Sequence, residues 1–438
     1  MAGKRSSAFN LETCARPNIL ALEPYRCARD DYKDDGTNIL LDANENAYGP
    51  GLALTEDENL EGSRKEEDGE GIDVDLLGLN RYPDPHQIPL KQLLCNLRNR
   101  SSPSPSTTPL TPSNLFVGVG SDEAIDALLR CFCRPGHDRI LVCPPTYGMY
   151  SVSASVNDIS LVKVPLIGED FQVDIDGIMK ALSEDKDGRI KLVYLCSPGN
   201  PTGALLKKED VERVLGHETW NGIVVLDEAY IDFAPEGSSQ APFVTRYPNL
   251  VVLQTMSKAF GLAGIRLGAA FTDPKIARLL NAMKAPYNIP NPTSQIACAA
   301  LQPKHLAAMR ANVELIIQQR DRMVAELPKI PGVGKFKGGF ESNFLLVEML
   351  DGPNGKPCNE VALRVYESLA EEKGVVVRFR GKEHGCLGCL RITVGTETEV
   401  TRFLEELKAV LEGIFKSNEH RSPREEERLE EEASGVVA

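Results

Sequence analysis

Two residues near the middle of the chain have side chains suited to amine chemistry. Lys258 ends the run Thr255-Met256-Ser257-Lys258, where burial among small residues would lower its pKa and let its uncharged amine react with an aldehyde. Asp227 follows the apolar run GIVVL, and a buried carboxylate is costly unless a cation pairs with it. The protonated ring nitrogen of an aromatic cofactor would be such a partner. Taken singly, a surface lysine and a turn-capping aspartate are the alternative interpretations.

Three more polar groups follow apolar runs. Ser121 and Asp122 come after LFVGVG and open a predicted helix, whose free N–H groups suit a phosphate. Tyr147 follows RILVCPPT, and its ring can stack on a planar ligand. Asn200 lies in the turn SPGNPTG, where its amide can bond to a ring hydroxyl. Taken alone, Ser121 and Asp122 could be an ordinary N-cap, Tyr147 a packed ring, and Asn200 part of a plain turn.

The apolar runs predict the elements that position these groups. Continuous runs of valine, isoleucine and leucine are typical of parallel strands covered on both faces, and they are LFVGVG, RILVCPP, ISLVKVPL, IKLVYLC, GIVVLDE and NLVVLQT. Amphipathic stretches between and after them predict helices at Asp122–Cys133, Lys208–Leu215, Pro274–Lys284 and Pro303–Leu327. Open parallel sheets bind ligands beyond the carboxyl ends of their strands. The five groups therefore predict an α/β fold with a pyridoxal 5'-phosphate site at that edge.

The length of 438 residues predicts more than one domain, because single cores stop growing at roughly 250–300 residues. The C-terminal part predicts an α+β unit from NFLLVEML, a helix at Glu360–Lys373, VVVRFR, LRITVG and a helix near Thr398–Phe415. We therefore expect an N-terminal arm, a large domain, a small domain and a tail, at residues 1–37, 38–295, 296–415 and 416–438. The acidic segment 55–75 and the Ser/Pro/Thr-rich segment 101–113 are predicted surface insertions, and the acidic tail is predicted to be disordered.

Charge and cysteine content exclude several functions. The formal net charge of −14 argues against nucleic-acid binding, which needs a clustered basic surface. No run approaches the roughly 20 apolar residues of a membrane span. The 11 cysteines are scattered through apolar segments, which favours reduced thiols in a cytoplasmic protein. Cys386 and Cys389 form an isolated CxxC, so we expect no metal site.

Longer motifs connect the chain to a known family. SPGNPTG, VVLDEAY and TMSKAFGLAGIRLG resemble the fold-type I pyridoxal-phosphate enzymes, the aspartate aminotransferase superfamily. LDANENAYGP, NRYPDP, CPPTYGMY and LRITVGT are more specifically similar to the histidinol-phosphate aminotransferase family, over about residues 18–415. The resemblance implies a large domain with a mostly parallel seven-stranded sheet between helices, a smaller α+β C-terminal domain, and a homodimer with shared active sites.

The resemblance also implies residue roles. Lys258 would hold the cofactor as an internal Schiff base and carry protons, Asp227 would bind the ring nitrogen, and Tyr147 would stack on the ring. The implied cofactor-binding residues are Ser121, Asp122, Tyr147, Asn200, Asp227, Tyr230, Ser257, Lys258, Arg266 and Tyr82 of the partner subunit. The implied substrate-binding residues are Tyr25, Asn44, Tyr287, Arg378 and Arg391. The two arginines could serve both substrates, because a guanidinium group binds a carboxylate or a phosphate with the same pair of N–H groups.

The implied activity is the aminotransferase step of histidine biosynthesis. It interconverts histidinol phosphate and 2-oxoglutarate with imidazole acetol phosphate and glutamate in a ping-pong mechanism. A threonine-phosphate-type decarboxylase and a broad or aromatic aminotransferase are the alternatives within the superfamily, and a non-catalytic binding protein is the alternative outside enzymes. Two positions depart from the family pattern, with Ala47 where proline is frequent and Gln254 where an arginine-like residue is frequent.

Overall fold

The computed structural model describes residues 38–42, 44–49, 83–101 and 108–418. The predicted N-terminal arm, the acidic insertion 55–75, residues 102–107 of the insertion 101–113 and most of the tail lie outside these residues. Tyr25 and Tyr82 lie outside them as well. Within the described ranges, no helix is long and apolar enough to cross a membrane.

A seven-stranded sheet forms the centre of the larger part of the molecule. Its strands are β2 Leu115–Val119, β3 Arg139–Val142, β4 Ser160–Lys163, β5 Ile190–Cys196, β6 Ile223–Asp227, β7 Leu250–Thr255 and β8 Leu267–Thr272. Their order is β2-β8-β7-β6-β5-β3-β4. All neighbours are parallel except that β8 pairs antiparallel with β2 and β7. The prediction of a mostly parallel seven-stranded sheet is therefore confirmed.

Helices cover both faces of this sheet, as the continuous apolar runs predict. The helices of the larger part are α1 Ile88–Ser101, α2 Gly120–Phe132, α3 Met149–Val156, α4 Ile175–Glu184, α5 Lys208–Leu215 and α6 Pro274–Met283. Successive strand residues bury against different cores, with Val224 in one core and Val225 in the other. Such strands have no solvent-facing side, so their polar residues concentrate at the strand ends.

The smaller part packs helices on an antiparallel sheet. Its strands are β9 Val333–Lys337, β10 Phe344–Met349, β12 Arg378–Phe379 and β13 Cys389–Thr393. Their order in the sheet is β12-β13-β10-β9. The remaining helices are α7 Asn291–Ala300, α8 Pro303–Glu326, α9 Asn359–Lys373 and α10 Glu397–Asn418. The domain bounds stay a prediction, since α7 runs across residues 295 and 296.

The run VVVRFR does not form the single strand that its composition predicts, so that expectation is wrong. Its first part is β11, Val375–Val376, which pairs parallel with β1, Ile39–Leu40. Its second part is β12, which pairs antiparallel with β13. The two halves hydrogen-bond to different strands, so the run divides. The β1 pairing draws the DANEN segment, which follows β1 along the chain, towards the arginines of the smaller part.

Candidate active site

One cavity of about 360 Å³ lies where the parallel strands end. Cys196, Asp227 and Thr255, the last residues of β5, β6 and β7, all contribute to its wall. Most of the residues that the sequence predicts as site residues line the same cavity: Asn44, Ser121, Asp122, Tyr147, Asn200, Asp227, Tyr230, Ser257, Lys258, Arg266, Arg378 and Arg391. The fold thus brings together groups that are far apart in the chain.

The start of α2 lies beside Arg266, and both line the cavity. Gly120 has a φ of +70° and its N–H donates to the Arg266 carbonyl at 3.0 Å. A Cβ on Gly120 would lie 2.8 Å from Arg266 Nη2 and would displace that group, and the positive φ itself favours glycine. Arg266 Nη2 lies 3.8 Å from Asp122 Oδ2 and remains half exposed. A helix N-terminus beside a guanidinium group fits a phosphate.

Asp227 is buried and lines the cavity. Tyr150 Oη donates to its Oδ2 at 2.7 Å, and the Ala229 N–H donates to its Oδ1 at 3.1 Å. Burial raises the pKa of Asp227 to about 6, against the lowering effect of these hydrogen bonds. A protonated ring nitrogen would give this buried carboxylate the cationic partner that it needs. Asp227 and the cradle at Gly120 and Arg266 therefore fit pyridoxal phosphate.

Lys258 follows β7 and lines the cavity in the turn that leaves the strand. The turn is fixed by Thr255 Oγ1, which accepts the Ser257 N–H at 3.1 Å and donates to Ser257 Oγ at 3.0 Å. The Lys258 amine lies 5.9 Å from the centroid of the Tyr230 ring. Burial, together with the charge of Arg391, lowers the pKa of Lys258 to about 8. Close to neutral pH, part of the population therefore carries an amine able to accept a proton.

Hydrogen bonds between distant segments fix the aromatic side chains of the cavity. Tyr147 Oη donates to Asp122 Oδ1 at 3.1 Å, which places the phenol beside the start of α2. The Asn44 side-chain amide donates to Tyr230 Oη at 3.1 Å across 186 residues of sequence. Burial raises the pKa of Tyr230 to about 12, so its hydroxyl stays protonated and can donate a hydrogen bond.

Arginines of the smaller part also line the cavity. Arg391 on β13 donates from Nη1 to Asn200 Oδ1 at 2.7 Å and from Nη2 to the Asp42 carbonyl at 2.6 Å. Within the described residues its buried Nε has no hydrogen-bond partner. Burial, with the charges of Arg380 and Arg378, lowers the pKa of Arg391 to about 9, so it is still cationic at pH 7. An anionic substrate group would compensate this concentration of positive charge.

The structure does not bring every predicted residue to the cavity. Tyr287 is 40% exposed and lies outside the residues that line it, and the roles of Tyr25 and Tyr82 stay predictions. The sequence interpretation also missed residues that contribute to the site: Asp42, Glu45, Tyr150 and Arg380. Three of them had a local signal, because Asp42 and Glu45 flank Asn44 and Arg380 shares a strand face with Arg378. The bond from Tyr150 to Asp227 spans 77 residues and had none.

A buried polar network explains the departure at Gln254. Its amide donates to Glu228 Oε2 at 2.8 Å, and its carbonyl oxygen accepts from Arg98 Nε at 2.7 Å. Arg98 comes from α1 and also binds both oxygens of Asp232, at 2.7 and 2.9 Å. A guanidinium group is thus present near Glu228, but α1 supplies it instead of β7.

Comparisons with known proteins agree with this geometry. The family model described as aminotransferase class I and II matches residues 38–407. The histidinol-phosphate aminotransferase of Schizosaccharomyces pombe is 51% identical over 93% of this chain and 99% of its own length. That of Saccharomyces cerevisiae is 47% identical over 92% and 98%.

Solved structures share the fold. The histidinol-phosphate aminotransferase of Sinorhizobium meliloti, solved in complex with pyridoxal-5'-phosphate, superposes with a TM-score of 0.72 at 22% identity, over 93% of this chain and 99% of that one. The enzyme from Clostridium acetobutylicum gives a TM-score of 0.66 at 25% identity, over 78% of this chain and 94% of that one.

In the part of the chain that the structure describes, no cluster of His, Cys, Asp and Glu side chains is arranged to hold a metal ion.

Proposed function

Because this chain belongs to the class I and II aminotransferases and, within them, to the histidinol-phosphate aminotransferase family, we propose that it transfers an amino group from histidinol phosphate to 2-oxoglutarate and back. The products are imidazole acetol phosphate and glutamate, and the reaction is a step of histidine biosynthesis. The enzyme is a transaminase that depends on pyridoxal phosphate. The observation that carries the proposal is one cavity whose wall includes the phosphate cradle at Gly120 and Arg266, the arginines Arg378 and Arg391, and both Lys258 and Asp227.

The chain's own residues would hold the cofactor at three points. The N–H groups at the start of α2, together with Ser257 and Arg266, would bind its phosphate. Asp227, whose pKa of about 6 leaves it mostly ionised at pH 7, would keep a proton on the ring nitrogen. Tyr230 and Asn200 would contact the ring hydroxyl, and Tyr147 would lie against the ring. When bound, pyridoxal phosphate supplies a carbonyl that exchanges amines and a ring that stores an electron pair.

Lys258 would move the proton that transamination requires. Its Nζ would accept a proton from the substrate carbon and return it later in the reaction. The pKa of about 8 leaves part of the amine unprotonated near neutral pH. Arg391 and Arg378 would hold the phosphate or carboxylate of the substrate and so fix the carbon that loses the proton. Since both substrates use the same arginines, they must enter in turn, which gives ping-pong kinetics.

The first prediction tests this activity directly. Purified enzyme loaded with pyridoxal phosphate should form glutamate from histidinol phosphate and 2-oxoglutarate, with parallel lines in a double-reciprocal plot at several fixed 2-oxoglutarate concentrations. The coupled detection of glutamate is the measurement. Release of carbon dioxide from a phosphorylated amino acid, without glutamate, would contradict the proposal and favour the decarboxylase.

We further propose a cytoplasmic homodimer with shared active sites. The resemblance supports the dimer, because Tyr82 in NRYP matches a residue that reaches the cofactor phosphate of the neighbouring subunit. The exposed position of Tyr287 is compatible with a role at a site completed by the partner. The scattered cysteines support a reducing compartment.

A further inference from the structure

Three arginines line the same end of the cavity: Arg378, Arg380 and Arg391. In the β12–β13 ladder Arg378 lies opposite Arg391, and the Arg380 N–H donates to the Cys389 carbonyl at 2.9 Å, one step beyond the paired residues. Arg378 and Arg380 are two residues apart and therefore lie on the same face of their strand. Among these three arginines, the family motifs predict a substrate role for Arg378 and Arg391 but not for Arg380.

Arg380 has one strong partner in the described structure. Its Nη1 binds Glu383 Oε1 at 2.6 Å, with 19% of the arginine side chain and 28% of the glutamate side chain exposed. Its Nη2 lies 3.5 Å from Asn200 Oδ1, an oxygen that Arg391 already holds at 2.7 Å. Its Nε is buried and has no hydrogen-bond partner among the described residues. Arg380 thus keeps unused capacity to bind an anion beside Arg391.

The two expected substrates differ in the charge that they bring to this end. A phosphate monoester carries about −1.5 to −2 at pH 7, since its second pKa is near 6, whereas a carboxylate carries a single negative charge. Arg380 adds positive charge beside Arg391, where the anion would bind. Glu383 pairs with Arg380 from outside the cavity wall, so it offsets this added charge when the bound anion is a carboxylate.

We propose that Arg380 is a third anion-binding residue and Glu383 its resident counterion, and that this pair sets the preference of the cavity for a phosphate over a carboxylate. When the phosphorylated substrate binds, Arg380 contacts the phosphate from the position that it now holds beside Asn200. With glutamate in the cavity, the ion pair with Glu383 neutralises Arg380. The inference rests on the proposed function for the identity of the two substrates.

The test compares Michaelis constants for the two substrates in holoenzyme variants. In Arg380→Gln the KM for histidinol phosphate should rise about tenfold to hundredfold, the range for one lost hydrogen bond to a charged group. The KM for glutamate should rise less than about threefold, because the neutralised arginine contributes little to a carboxylate. Lys382→Gln removes one positive charge from the same turn at an exposed position, and it should leave both constants unchanged.

Glu383→Gln provides an effect in the opposite direction, which a misfolded protein would not produce. The inhibitor is inorganic phosphate, competing with glutamate in the half-reaction with that substrate. Its inhibition constant should be about threefold to tenfold lower in Glu383→Gln than in wild type. In Arg380→Gln the inhibition constant should be higher than in wild type. Equal KM changes for both substrates in Arg380→Gln, or unchanged phosphate inhibition in both variants, would overturn the inference. Failure of the proposed function looks different: wild-type enzyme would then not turn over histidinol phosphate at all.

Discussion

At the scale of single residues, burial adjusts Asp227 and Lys258 in opposite directions. It raises the pKa of Asp227 to about 6 and lowers that of Lys258 to about 8, because the charged form of each group is less stable away from water. Asp227 is still ionised at pH 7, while Lys258 gains a usable fraction of free amine. Both residues could be predicted from the sequence because Asp227 ends one apolar strand and Lys258 lies in the turn that follows another.

The raised pKa of Asp227 predicts how the apoenzyme responds to pH. An acid whose folded pKa lies above its unfolded value of 3.8 destabilises the folded state when it ionises. Between pH 4 and 7, wild-type apoenzyme should therefore lose about 2 kcal/mol of unfolding free energy relative to Asp227→Asn. Urea unfolding of both apoproteins at the two pH values measures this difference. Parallel pH profiles would show that the buried carboxylate carries no such cost.

At the scale of elements, the strands that end in the cavity were predictable and several other elements were not. β5, β6 and β7 are continuous apolar runs, but β8 reads LGAAFT, and its glycine and alanines have low strand propensity. It forms because it fills the place between β2 and β7. The helix α3, MYSVSASV, was missed for a similar reason, since serine and valine are weak helix formers. Tertiary packing decides both elements.

Gly268 on β8 packs against the start of α2, so a substitution at Gly268 tests the phosphate cradle. A Cβ at this position would overlap the Ser121 nitrogen and the Gly120 carbonyl carbon, so Gly268→Ala should push back the start of α2. We expect a loss of about 1–3 kcal/mol in stability and weaker retention of pyridoxal phosphate in equilibrium dialysis. Gly264→Ala is the matched control, because no atom lies within 4 Å of its Cβ. Equal cofactor retention in the two variants would argue against the cradle.

In the whole molecule, several contacts of the site join residues that are far apart in the sequence, so short motifs could not predict them. Asn44 reaches Tyr230 across 186 residues, and Arg391 reaches the Asp42 carbonyl across 349. Such pairs depend on how the smaller part packs on the larger one, and no local spacing in the sequence encodes them. The two insertions have a clear composition, but residues 55–75 and 102–107 lie outside the described residues, and their structure stays a prediction.

The proposed shared sites predict complementation between two inactive variants. Tyr82→Ala and Lys258→Ala should each have little activity as pure dimers. After the subunits are mixed and exchanged, each hybrid dimer would contain one site with both defects and one intact site. About a quarter of the wild-type activity should therefore return, since half of the dimers are hybrids at random exchange. Sedimentation at nanomolar concentration checks that dimers persist, and a mixture that stays inactive would contradict shared sites.

Turnover of Lys258→Ala with histidinol phosphate and 2-oxoglutarate tests whether Lys258 carries the amine chemistry of this cavity. We expect kcat to fall by at least about a thousandfold, because a proton-transferring group is lost. The visible absorption change that glutamate causes in wild type should disappear as well. Lys275→Ala, at an exposed position on α6, should behave as wild type. Turnover by Lys258→Ala within tenfold of wild type would show that another group carries this chemistry.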